Sequence, residues 1–510
     1  MARARFEVSA FSSLDVRFKN LGVAVCCVVL AAGCSGAARS GRAGATMHGE
    51  RGGRSLDALQ LEGALSGADQ PSSGGSLRER SDDYRLPENP TLDDYLMVAA
   101  HRNEGLKAAF HHWRAAAEQA HAAGRLPDPR FSYTYYIERV ETRVGPQRQS
   151  FSLSQMFPWF GKLALQRTER DNVERIAHAR LEEERLSLFY QVKSAYWDFW
   201  LLARSIETTR DHLELAKGLE SVVRTAYEAG DAGFSDLVRL RVEIGSLENR
   251  LQGLLDRRRP VAARLNAAMS RPHDAPLPEP SLPPGEPVEI SEEDIFMFME
   301  EMNPQLIAQR YEIARQLTSV ELAQKDFYPD LTAGITYIDT GDAVMPGVRD
   351  SGKDPVMAMV SINLPLDRSR RRAAAAAARE RHRAAATTLE ESRNELQARL
   401  EAALYDKRDA SREAGLFKDT LIPEAVQALE VTEAAFRAGL TGFADLIDAQ
   451  RMQLEFELSY NSAVAQREKS LALLEMLTAS ELRRPQRAGL PEDGQGLSGP
   501  VNVPSDIGEE

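Results

Sequence analysis

The chain is short of three things. Aromatic residues make up only 7% of its 510 positions, cysteine occurs three times, and no run of 18 or more apolar residues exists. The missing apolar run excludes a bundle of membrane-spanning helices, which need about 20 such residues each. So few cysteines cannot build a disulfide framework or a zinc cluster. Positive charge is also in deficit. Lys+Arg 63 against Asp+Glu 76 give a net charge of -13, which argues against generic nucleic-acid binding, because neutralising phosphates needs a cationic surface. No Walker loop, dinucleotide fingerprint, HExxH or nucleophile elbow is found, so nothing here asks for an enzyme or a cofactor. None of these absences excludes a membrane β-barrel, whose strands alternate apolar and polar residues.

What is present begins with an address. Arg3, Arg5, Arg17 and Lys19 precede an apolar stretch that starts at Leu21. At about 12 residues it is too short to span a bilayer and has the length of a signal-peptide core. It ends Leu30-Ala-Ala-Gly-Cys34, which resembles a bacterial lipobox, with Ala31 where that motif usually has leucine. The resemblance implies that residues 1–33 are a lipoprotein signal peptide and that Cys34 receives the lipid, palmitate included. Ser35 after the cysteine, rather than aspartate, implies sorting to the outer membrane. The plainer alternative is an ordinary signal peptide with an incidental cysteine. Removing residues 1–33 takes away four basic and two acidic side chains and leaves a net charge of -15.

Residues 34–87 are rich in Gly, Ser, Arg and Ala and read as a flexible tether. Residues 272–289 form a proline-rich linker, and residues 481–510 read as a disordered tail. Between them lie two segments, 88–271 and 290–480, that repeat one another. Asn103-Glu-Gly-Leu106 matches Asn303-Pro-Gln-Leu306, Pro127-Asp128 matches Pro329-Asp330, and Phe157-Pro158 matches Leu364-Pro365. The segment Tyr227–Asp236 matches Phe436–Asp445, so the offsets run 200, 202, 207 and 209. Ordered growth of this kind is what a duplicated unit with small loop insertions produces.

Each unit reads as helix, two strands, a very long helix, a turn and another long helix. A first helix is expected over about 91–124, with Thr91 as N-cap and Asp93 and Asp94 in its first turn. Phe131, Tyr133, Tyr135 and Ile137 alternate with polar neighbours, as do Phe151, Leu153 and Phe157. In the second unit Leu331, Ala333, Ile335 and Tyr337 share one strand face, and Val356, Ala358, Val360, Ile362 and Leu364 another. The segment from Lys162 to about Glu228 has no proline and predicts a helix roughly 100 Å long. The segment Ser369–Ala438 has the same reach, with a bend expected at Pro423. Four strands per chain cannot close a membrane barrel, whose smallest members have about eight, and an open edge cannot face lipid. The strands therefore either lie in water or are completed by other copies of the chain, and the aromatic residues favour the second. Tyr133, Tyr135, Phe151 and Tyr337 suit lipid-facing or interfacial positions, as in aromatic girdles.

These features together resemble the outer membrane efflux protein family. The duplicated unit, the Asn-Pro-x-Leu opening, the strand-ending Gln155-Met-Phe-Pro-Trp-Phe-Gly-Lys162 and the paired tip motifs carry the resemblance over about 88–480. It implies a mainly α, internally duplicated chain. In a homotrimer, four strands per chain build a 12-stranded membrane β-barrel that continues into a long periplasmic α-helical barrel. The function implied is a passive outer-membrane channel of a tripartite efflux system in a Gram-negative bacterium, with a periplasmic adaptor, an inner-membrane pump and outer-membrane lipid as partners. Drug and heavy-metal export both fit, and Phe-Pro-Trp-Phe-Gly-Lys is similar to the cation-efflux branch. A type I secretion duct is an alternative, and so is a non-channel periplasmic coiled-coil lipoprotein, which leaves the amphipathic strands unexplained.

The resemblance also implies roles at the turns. Gly230, Asp231, Gly439, Leu440 and Thr441 are expected to be adaptor-docking tips, and Asp236, Asp445, Asp448, Phe436 and Thr441 to form the periplasmic gate. Three copies of Asp445 and Asp448 about an axis make an acidic ring that favours cations. The plainer reading is that aspartates at a helix start complement its dipole. Phe436 and Thr441 stand where the family has a latching tyrosine and arginine, so those latch bonds cannot form. His101, His111, His112 and His121 are too dispersed on their helix to share a metal, and Met297, Met299 and Met302 read as packing. Arg368, Arg370, Arg371 and Arg372 read as a collar where strands meet helices.

Overall fold

The computed structural model describes residues 86–230, 233–280 and 291–482. The expected signal peptide, Cys34, nearly all of the tether, Asp231, part of the linker and the tail beyond residue 482 lie outside the described residues. No helix among the described residues is long and apolar enough to cross a membrane.

The first unit consists of α1 (Leu92–Arg102), α2 (Glu104–Ala122), β1 (Arg130–Thr142), β2 (Gly145–Phe157), α3 (Lys162–Ala229) and α4 (Phe234–Ala268). The second consists of α5 (Glu292–Met302), α6 (Pro304–Lys325), β3 (Leu331–Thr340), β4 (Val356–Ile362), α7 (Arg368–Leu416), α8 (Ile422–Arg437) and α9 (Phe443–Thr478). A helix running unbroken over 91–124 is therefore corrected: it stops at Arg102 and restarts at Glu104. Asn103 is the break. Its Oδ1 accepts from Leu106 N at 2.9 Å, and its Nδ2 donates to Ala268 O at 3.0 Å. Asn303 does the same in the second unit, accepting from Gln305 N at 2.9 Å and donating to Leu477 O at 2.9 Å. Each asparagine thus caps one helix and ties it to the end of its unit's last helix, satisfying groups that helix termini leave unpaired.

α3 is a single helix of 68 residues, about 100 Å at 1.5 Å per residue. The bend expected at Pro423 takes the form of a π turn over Phe417–Leu421, where Ile422 N bonds to Phe417 O. The wider turn makes room for a proline that has no N–H to give, and it absorbs one residue of the growing offset between the units.

The sheet is four-stranded and antiparallel in the order β1-β2-β3-β4. Its register sorts side chains by face. Tyr133, Phe151, Tyr337 and Val356 form one cross-strand row, and Phe131, Leu153, Ile335 and Ala358 another. The alternating row is Ser132, Ser152, Thr336 and Met357. One face is thus apolar and aromatic, the other largely hydroxylated. The Tyr133 and Phe151 rings lie 5.3 Å apart. At the far end, the loop between β3 and β4 folds over the β1–β2 turn, with Gly352 N on Val144 O at 2.8 Å. Gly145 has φ +135°, and a Cβ there would lie 1.7 Å from Gly341 O, so only glycine fits.

Candidate functional site: the duct, its rim and its tips

At the rim where strands become helices, Lys162 opens α3 and reaches into the second unit. It is 8% exposed, and its Nζ meets Asp330 at 3.1 Å and Asp326 at 3.2 Å. Trp159 N donates to Asp330 Oδ1 at 2.8 Å, and the Trp159 ring stacks on Tyr328 at 5.2 Å. Of the arginine collar, Arg371 is a strut, its Nε bonding to Asp326 O at 2.7 Å, while Arg368, Arg370 and Arg372 are exposed.

Below the rim, charged pairs tie the helices of the first unit to α9. Lys193 meets Glu475 at 2.5 Å, and Asp198 accepts from both Lys469 and Arg264. His212, buried on α3, has Nε2 3.2 Å from Glu457 on α9. Burial pushes the Glu457 carboxyl up, but the His212 and Gln453 hydrogen bonds outweigh it and hold the group below the ordinary glutamate range. Arg451 on α9 pairs with Glu243 on α4, its Nε 2.8 Å from Oε2, and Glu243 is buried. Sequence reasoning missed these pairs. The partners that reach α9 are 208 to 282 positions away in sequence, and each side chain alone reads as part of a solvated helix face.

The two tips are built alike. Gly230 has φ +88° and Gly439 φ +70°, a region in which glycine carries no Cβ penalty. Leu440 N returns to Ala435 O at 2.9 Å, closing the helix end. The next helix starts at Phe234 or Phe443, directly after Gly233 or Gly442. Asp236 Oδ2 accepts from Gly233 N at 3.0 Å, and Asp445 Oδ2 from Gly442 N at 3.3 Å and Thr441 Oγ1 at 2.5 Å. A glycine has no side chain to cap with, so the aspartate three residues on satisfies the orphan donor and the dipole. Phe436 packs edge-on against Phe443 at 5.8 Å, within a core that joins both tips through Leu237, Leu240, Leu446 and Ile447.

The expected gate residues therefore separate. Thr441 and Asp445 are together, Phe436 faces inward to its own hairpin, and Asp236 caps the other tip. Asp448 is apart from them, its side chain 76% exposed and 3.9 Å from Arg451 Nη1. Leu440, 82% exposed, is the apolar point of its tip. A groove of about 580 Å³ runs up from the tips between α3 and α8–α9, lined by Leu215, Gly218, Leu219, Leu429 and Arg437. No group of His, Cys, Asp and Glu side chains among the described residues could hold a metal ion.

Comparison with known proteins bears on this geometry. Residues 299–480 match the family model described as outer membrane efflux protein. The cobalt-zinc-cadmium resistance protein CzcC of Cupriavidus metallidurans is 22% identical over 387 residues, 74% of this chain and 87% of that protein. A membrane protein from Pseudomonas aeruginosa has the same fold at TM-score 0.65 and 18% identity, covering 76% of this chain and 90% of that one. The open state of the MtrE outer membrane channel of Neisseria gonorrhoeae matches at TM-score 0.62 and 18% identity, over 82% of this chain and 96% of that one.

Proposed function

We propose that this chain, a member of the outer membrane efflux protein family, is the outer-membrane duct of a tripartite efflux system. The observation that carries the reading is the sheet. It has one apolar face and two open edges, β1 and β4, and it sits on helices of about 100 Å. Three copies close the barrel, and the helices continue it through the periplasm. Cys34 anchors each copy by lipid. A periplasmic adaptor docks at the tips around Gly230, Asp231, Gly439, Leu440 and Thr441, and an inner-membrane pump supplies the energy, so that conduction through the duct is passive.

The cargo we assign is divalent metal cations. The similarity to a cobalt-zinc-cadmium resistance protein over 74% of the chain supports this, and so does the acidic tip. Asp448, exposed and repeated about the axis, draws cations toward a narrow entrance, while Asp236 and Asp445 are held as helix caps. The test is export. Deleting the gene is expected to lower tolerance to cobalt, zinc or cadmium while leaving tolerance to hydrophobic drugs unchanged. A loss of drug tolerance alone contradicts the cargo, and no loss of either contradicts the efflux role.

A further inference from the structure

β1 and β4 each pair on one side only, whereas the seam between the units, β2 against β3, is hydrogen-bonded along its length. The duplication makes that inner seam a template. Offsets of 202 from β1 to β3 and 207 from β2 to β4 carry the observed pair Phe131↔Leu153 onto Ala333↔Val360, which is the observed register of β3 and β4. The same two offsets therefore convert the β2–β3 seam into a pairing of β4 with β1.

Resting on the reading of the chain as one part of a closed barrel, we propose that a second copy docks its β1 on β4 in the single register that repeats the β2–β3 seam. Gln155↔Ala333 and Leu153↔Ile335 become Ile362 opposite Phe131 of the neighbouring copy and Val360 opposite its Tyr133. The register keeps all four side chains on the apolar face, which a slip of one residue would destroy.

A slip of two residues keeps the faces, and the rim decides against it. At the inner seam Lys162 grips Asp330 while Trp159 stacks on Tyr328. The offsets carry Asp330 to Asp128, Tyr328 to Leu126, Trp159 to Leu366 and Lys162 to Ser369, and the cation beside that place is Arg368, first in α7 as Lys162 is first in α3. Leu126, Asp128, Leu366 and Arg368 are all exposed. Asp128 and Arg368 have no ion-pair partner among the described residues. The two free edges thus hold complementary halves of one clamp, a carboxylate with a leucine and a guanidinium with a leucine. The occupant that supplies the missing half to each edge is another copy of this chain.

Disulfide trapping of the full chain tests the register. Tyr133→Cys with Val360→Cys is expected to give a covalent trimer on oxidation, with the unsubstituted chain as background. Phe131→Cys or Tyr135→Cys with Val360→Cys is expected to give little, because diagonal neighbours lie about 7–8 Å apart, beyond disulfide reach. Stronger trapping by a shifted pair overturns the register. Native mass spectrometry of the unsubstituted chain counts copies independently, so a trimer with the wrong cross-link sinks this inference alone, while a monomer sinks the barrel reading as well. For the clamp, Asp128→Arg is expected to lower the trimer fraction, and adding Arg368→Asp to restore it. No loss, or no restoration, overturns the clamp.

Discussion

The two units share their punctuation and differ in their filling. Asn103 and Asn303 break and tie the same helices, and Gly233–Asp236 and Gly442–Asp445 cap the same turns. Near the middle of each helical bundle, however, the first unit packs Tyr95, Tyr196, Trp197 and Trp200, and the second packs Leu306, Leu396, Leu400 and Leu404. Backbone donors and acceptors at helix ends accept few solutions, because an unpaired buried group costs about 1–3 kcal/mol. Core volume can be filled in many ways provided the total is kept. Duplicated units therefore diverge in their cores while their capping residues stay recognisable.

The largest expected effect breaks the filling. Trp197→Ala, at a site 1% exposed, is expected to cost about 3–5 kcal/mol, read as a drop in the apparent unfolding temperature in detergent. Leu400→Ala in the second unit is expected to cost about 2–5 kcal/mol, and a clearly larger loss there would reverse the comparison. Breaking the punctuation comes next. Asn303→Ala is expected to cost about 1–3 kcal/mol by stranding buried backbone groups. Asn103→Ala is expected to cost less, since Asn103 is more exposed than Asn303. Equal losses would mean that burial does not set the difference.

At the tips, Asp445→Ala and Asp236→Ala are each expected to lose about 0.5–2 kcal/mol of capping stability with little change in ion selectivity. Asp448→Asn should do the opposite, leaving stability alone and weakening cation preference. Reversal potentials across a bilayer check both. The smallest effect is a pH dependence. Because Glu457 is held below the ordinary glutamate range, its contribution is complete above that range and is lost as pH falls through the lowered value. Between about pH 6 and pH 3 the unsubstituted chain should lose more stability than Glu457→Gln. Parallel curves would remove this pair from the account.

Much of this was legible in one chain. The offsets disclosed the duplication, period-two alternation gave both sheet faces, and the proline-free run from Lys162 gave the long helix. The break at Asn103 was not read, because an asparagine without a following proline does not forbid a helix, whereas Pro304 in the second unit does. The tip aspartates were legible as helix-start residues, but only coordinates show that Asp236 and Asp445 are engaged as caps while Asp448 is exposed beside Arg451. The cross-unit ion pairs were invisible, since a charged residue on a helix does not reveal its distant partner.

The central claim is that one chain carries part of a barrel and that several copies make a duct. Single-channel recording of the purified full-length protein in a planar bilayer tests it most directly. The account predicts discrete conductance steps with cation preference, carried by the trimer and weakened in Asp448→Asn. A trimer that inserts into the bilayer and passes no ions would contradict it.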